Sequence, residues 1–148
     1  MTIDIDKQLS DVQSLLTPDR LAAMTASERK QVMDLMKALE MSVRREKSQE
    51  EFLCFCASVW PAFIEGGHHR KMAEKFERVA SGECKRLMIN MPPRMGKSQL
   101  TSWLLPAWIM GKMPDKKIIM ASHTAELAVR FGRMVRNLIG SEEYKDIF

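Results

Sequence analysis

Cysteine is scarce in this chain: Cys54, Cys56 and Cys84 are the only three in 148 residues. An odd count without a secretory leader excludes a disulfide framework and leads us to expect reduced thiols in a cytoplasmic setting. Cys54 and Cys56 lie two apart, on different faces of a helix, and with His68 and His69 they make no zinc-ligand spacing. A zinc centre is therefore not expected. Long apolar runs are also lacking. The most apolar window, Trp103 to Met110, is too short to cross a bilayer and contains Pro106, so no membrane association is expected. Asp4 and Asp6 stand where a signal peptide would be apolar. No internal repeat and no low-complexity stretch is present.

The composition is that of an ordinary globular chain, 45% hydrophobic and 28% charged, and its length allows one domain at most. Thirteen methionines suit an adaptable core rather than a ligand set. A net charge of +4 is compatible with a polyanionic partner without requiring one.

One segment carries chemistry: Asn90-Met91-Pro92-Pro93-Arg94-Met95-Gly96-Lys97-Ser98. It follows the apolar run Leu87-Met88-Ile89 and opens a stretch of helix-forming residues from Gln99. Strand, tight loop, Gly-Lys-Ser and helix is the order of a phosphate-binding loop. The first helical turn offers unpaired amides and a positive dipole end, and Gly96 lets backbone approach a phosphate. Lys97 would meet the β and γ phosphates of ATP, and the Ser98 hydroxyl would ligate Mg²⁺. One element is missing: the first glycine of the full pattern is replaced by Met91. Pro92 and Pro93 remove two amide donors, and Arg94 returns positive charge. The other reading of these residues is an ordinary strand-turn-helix corner.

The surrounding pattern predicts an α/β fold, an incomplete P-loop NTPase in which a βαβα unit with parallel strands follows an N-terminal helical region. We expect the helical region over 1–47 and a partial ATPase domain over 48–148. Thr17-Pro18 marks one helix start, and the capping boxes Thr25-Ala-Ser-Glu28 and Ser48-Gln-Glu-Glu51 mark two more. The helix after Thr25 should run to about Arg45. Helices over Gln49–Val59 and His69–Ala80 follow, separated by Pro61 and Gly66-Gly67. The short apolar runs Leu87–Met91 and Ile118–Ala121 read as parallel strands buried between helical layers. A helix from Lys97 to Met110 joins them, with Pro106 kinking or ending it. A last helix over Ala125–Ile139 would bury Leu127, Phe131, Met134, Val135 and Leu138.

Arg86 to Ser98 resembles the deviant Walker A segment of tailed-bacteriophage terminase large subunits, in which an arginine precedes Gly-Lys-Ser/Thr and the first glycine is often missing. Pro106-Ala107-Trp108, Gly111-Lys112-Met113-Pro114, Ile118 to Ala128 and Phe131 to Arg136 are similar to that family's following segments, and Phe52 to Pro61 with His68-His69 to its lead-in helices. The resemblance covers roughly Ser48 to Phe148. It implies a motor ATPase that drives double-stranded DNA into a procapsid through the portal, with a small terminase subunit as partner, a homo-oligomeric intact form, and the host cytoplasm as its location. The implied cofactors are ATP and Mg²⁺, held by Pro93, Arg94, Met95, Gly96, Lys97, Ser98 and Gln99. Lys97 and Arg94 are the implied catalytic groups, and Ser98 the Mg²⁺ ligand. In that family an upstream glutamine reads adenine, a role that falls loosely on Gln49.

Hydrolysis needs a further carboxylate at the end of an apolar strand to help hold Mg²⁺, and the resemblance to terminases implies a following glutamate that activates water. After Ser98 the acids are Asp115, Glu126, Glu142, Glu143 and Asp146, and none is so placed. The chain thus reads as the N-terminal part of a larger subunit. A helicase-like ATPase and a nucleotide-binding module without turnover are the alternative readings. Arg130, Arg133 and Arg136 lie opposite the apolar stripe of the last helix, as a solvated face or as contacts to DNA phosphates. His123 follows the second apolar run, either near the nucleotide or, with Ser122 and Thr124, in a helix-capping or surface role. His68 and His69 have no acid-base partner in the sequence and read first as helix-start residues.

Overall fold

The computed structural model describes residues 24–148 and divides into two compact units at Glu46/Lys47. The helix start expected at Thr17-Pro18 lies outside the described residues.

Helix α1 spans Ala26–Glu50. Its N-terminal capping box is formed: the Thr25 amide donates to Glu28 Oε2 at 2.7 Å, and the Glu28 amide to Thr25 Oγ1 at 3.3 Å. The helix continues past Arg45, through the charged stretch, to Glu50. The second capping box, expected at Ser48, does not form. Ser48 is fully buried within the helix, with its hydroxyl 2.9 Å from that of Ser58. The break falls instead at Glu51, whose extended backbone starts α2, Phe52–Val59. A glutamate from elsewhere in the chain serves that start: Glu77 Oε1 accepts the Phe52 amide at 3.0 Å, placing a carboxylate at a helix N-terminus. The last carbonyls of α1 lack intrahelical donors. The indole Nε1–H of Trp108 supplies one to Ser48 O at 3.0 Å.

Helix α3 spans Gly67–Ala80. From Lys97 the chain is continuously helical: α4 (Lys97–Gln99), a π-helical turn (Leu100–Leu104) and α5 (Leu105–Lys112). Pro106 does not end this rod, which continues through it to Lys112. Proline lacks an amide proton and collides with the carbonyl one turn back. The wide π turn lies immediately before it, and Pro106 occupies the first turn of α5, where no intrahelical donor is needed. Helix α6 spans Ala125–Ile139, with Val135 and Leu138 buried, and α7 spans Glu142–Lys145.

In the unit from Lys47 onward, Phe52, Phe55, Cys56, Phe76, Leu100, Leu104, Ala107 and Trp108 are essentially inaccessible. Phe52 sits at the centre, edge-on to Phe76 (5.2 Å between centroids) and to Trp108 (5.5 Å). Each large side chain so buried contributes about 1.5–3 kcal/mol. The Tyr144 hydroxyl donates to the Ala107 carbonyl at 2.8 Å, tying α7 to the rod.

The α/β expectation is overturned. No strand or bridge occurs among the described residues, so there is no βαβα unit and no parallel sheet. A strand exists only through a ladder, and neither apolar run makes a backbone hydrogen bond to another segment. Nor are the runs buried on both faces. Ile89 and Met91 pack on the core while Met88 is 85% exposed; Met120 packs inward while Ile119 is 94% exposed. The apolar composition that suggested sandwiched strands here covers one side of a helical core.

Candidate functional site

The loop between Met91 and the rod contains two left-handed residues, Arg94 (φ 64°) and Gly96 (φ 74°, ψ 2°). Gly96 is the residue from which the rod starts. Its conformation is ordinary for glycine and costly for others. Arg94 adopts the same region without being glycine, so strain is held two residues away.

The amides of Met95, Gly96, Lys97, Ser98 and Gln99 have no protein acceptor among the described residues. The first backbone hydrogen bond of the rod is Leu100 N–H to Gly96 O, at 3.0 Å. Successive amides at alternating backbone conformations ahead of a helix form a concavity suited to anions. Lys97 is half-buried, and Arg94, Ser98 and Gln99 are exposed. No side-chain hydrogen bond or ion pair engages Lys97, Arg94 or Ser98 among the described residues. The Lys97 carbonyl accepts Thr101 Oγ1–H at 2.8 Å, which braces the first turn. Two cations, a hydroxyl and a run of amides, all without partners among the described residues, fit a phosphate group with its divalent cation. Pro93 lies in the turn that delivers Arg94, with both residues exposed.

Beneath the loop lies His69. A Cβ on Gly96 would stand 3.1 Å from His69 Nε2, so the imidazole lies against the glycine backbone. The other ring nitrogen, Nδ1, accepts the Gly66 amide at 3.1 Å, the reciprocal half of a capping box played by imidazole instead of glutamate. The ring also stacks at 5.1 Å on Phe63, which continues through Trp60 to Trp103 at 5.7 Å per step. Burial, and then the neighbouring His68, push the His69 pKa below its ordinary value, against the Met95 and Ile64 carbonyls and Glu65. His68 lies 3.8 Å away between ring centroids, with a buried Nε2 that has no partner among the described residues.

The sequence-predicted loop residues therefore come together at one helix start, with His69 beneath them. Nothing in the spacing signalled the His69 contact, because Gly96 lies far along the chain; only its place at a helix start was legible. Gln49 is elsewhere, its Nε2 donating to the Ile147 carbonyl. His123 is exposed just before α6, and the cap of that helix is Thr124, whose Oγ1 accepts the Leu127 amide at 3.4 Å. Arg130, Arg133 and Arg136 are exposed along α6. No group of three His, Cys, Asp or Glu side chains is placed to hold a metal among the described residues, and no described helix is long and apolar enough to cross a membrane. Compared with known proteins, the chain matches no protein-family model, no curated protein and no solved structure.

Proposed function

We propose that the chain binds the phosphates of ATP, with Mg²⁺, at Pro93–Gln99, and that it serves a DNA-packaging motor of the terminase type. The observation that carries the binding reading is the run of amides from Met95 to Gln99 without protein acceptors, beside a lysine without a counter-ion, among the described residues. A desolvated phosphate is held by such donors together with fixed positive charge. Lys97 would neutralise the phosphate oxygens, Arg94 would add charge from the loop, and Ser98 would offer its hydroxyl to Mg²⁺. The bound cation would screen the phosphates and orient them. This reading needs the loop and its helix, not a parallel sheet.

The packaging role follows from the resemblance of Arg86–Ser98 and its flanks to terminase large subunits. Double-stranded DNA, a procapsid portal and a small subunit are the partners it implies. Binding without turnover is the second reading, supported by where the acids lie. Asp115 follows the far end of the rod from Lys97, about 24 Å of helix away, and Glu142 is paired with Lys145 at 2.6 Å.

Filter binding of labelled ATP in the presence of Mg²⁺ tests the proposal. Lys97→Ala should weaken binding by at least about tenfold, the loss of one charge-assisted contact of about 1.5–3 kcal/mol. Equal binding by the two proteins would refute the assignment. A phosphate-release assay on the unaltered chain then separates binding from turnover.

A further inference from the structure

We propose that His69 is a positioning residue for the phosphate loop: held at Nδ1 by the Gly66 amide, its ring supports Gly96 through Nε2 and so sets the left-handed turn that aims the amides of residues 95–99. This rests on the phosphate-binding reading of the loop. Its geometric basis does not, since both contacts lie within the protein itself.

Because Nδ1 accepts a hydrogen bond, the neutral ring carries its proton on Nε2, on the side of Gly96 and the Met95 carbonyl. A second proton on Nδ1 would set two donors, ring and Gly66 amide, against each other. It would release the ring from the Gly66 amide and take the support from Gly96. The groups that could oppose or assist this proton are few. His68 and Glu65 lie nearest, Glu65 being paired with Arg70; from the loop, the charged side chains are Arg94 and Lys97. His68 disfavours a charged ring, and Glu65 and the Met95 and Ile64 carbonyls favour it. Phe63, stacked on the ring, adds none.

Two substitutions separate the roles of the two nitrogens. His69→Asn can still accept the Gly66 amide but does not reach Gly96; His69→Gln reaches toward Gly96. A purely structural cap on α3 would be rescued by asparagine. Support of the loop would be rescued by glutamine. With labelled ATP and Mg²⁺, His69→Asn should bind about tenfold more weakly than the unaltered chain, and His69→Gln within about threefold of it. In the nucleotide-free chain, the Gly96 amide resonance should titrate together with the His69 ring, at a midpoint below the ordinary 6.5. A Gly96 resonance indifferent to His69 titration, or undiminished binding by His69→Asn, would overturn the proposal. If Gly96 follows His69 but neither the unaltered chain nor Lys97→Ala binds ATP, the support role stands and the phosphate reading fails.

Discussion

Arg94 holds a left-handed backbone that costs an L-residue about 1–2 kcal/mol, and nothing in its side-chain contacts offsets this among the described residues. A strained residue with an unengaged guanidinium, two positions from a left-handed glycine, is economical only if the charge or the turn is used. Strain and charge can be separated by substitution. Arg94→Gly relieves the backbone while adding unfolded-state entropy, so urea stability should be unchanged or higher by up to about 1 kcal/mol. Arg94→Ala keeps the strain and should show no such gain. Both lack the charge, and both should bind ATP with Mg²⁺ more weakly. Binding that survives Arg94→Gly but not Arg94→Ala would assign the turn, not the guanidinium, to the phosphate.

At the scale of elements, the helices were largely legible because their signals are local. The Thr25–Glu28 box forms, α6 keeps its expected bounds, and Met72 and Phe76 lie on the buried face of α3. Failures came where a distant partner decides. Ser48 carries the grammar of a cap, yet Ser58 and Trp108 draw it into the core, and Glu77 takes over the cap one turn later. The apolar runs at Leu87 and Ile118 have the composition of strands, but a strand needs a neighbour, and composition cannot announce one. Of the candidate site, Pro93–Gln99 could be read as a loop ahead of a helix because that signal is local, whereas the approach of His69 to Gly96 is a tertiary arrangement that spacing does not announce. The Ser48–Trp108 link makes a sharp test of packing within the unit from Lys47 onward. Trp108→Phe keeps an aromatic ring but strands the buried Ser48 carbonyl, and should cost about 2–3 kcal/mol in urea unfolding. Ser48→Ala removes only the hydroxyl contact and should cost about 1 kcal/mol. Equal effects would mean that the indole hydrogen bond contributes little.

For the whole molecule, the titrating groups define a window of stability. On the acid side, burial and His68 lower the His69 pKa below 6.5. The unfolded ring takes up its proton first, so the stability present above pH 6.5 is lost as the pH falls toward the folded ring's lower value. Glu28, Glu74 and Glu143 are also lowered, by hydrogen bonds and by Lys75, but at exposed positions where such pairs are worth little. On the alkaline side the sign reverses. Burial pushes Cys54 up to about 11 from 9.0, aided by Glu51, and it raises Cys56 and Tyr144 as well. The folded state keeps these protons longer than the unfolded one, so their contribution is complete below pH 9 and is lost as the pH rises through the folded values. The expected profile is therefore flat between about pH 6.5 and 9 and falls on both sides. Tryptophan fluorescence reports it for the unit from Lys47 onward, because Trp60, Trp103 and Trp108 all lie there. With reductant present, urea midpoints from pH 5 to 10.5 should fall above pH 9, and Cys54→Ala with Cys56→Ala should flatten much of that limb. His69→Gln should flatten the limb just below pH 6.5 without touching the alkaline one. A midpoint that stays constant to pH 10.5 in the unaltered chain would mean that Cys56 and Tyr144 are not held as deeply in the core as their packing against Phe55 and the rod requires.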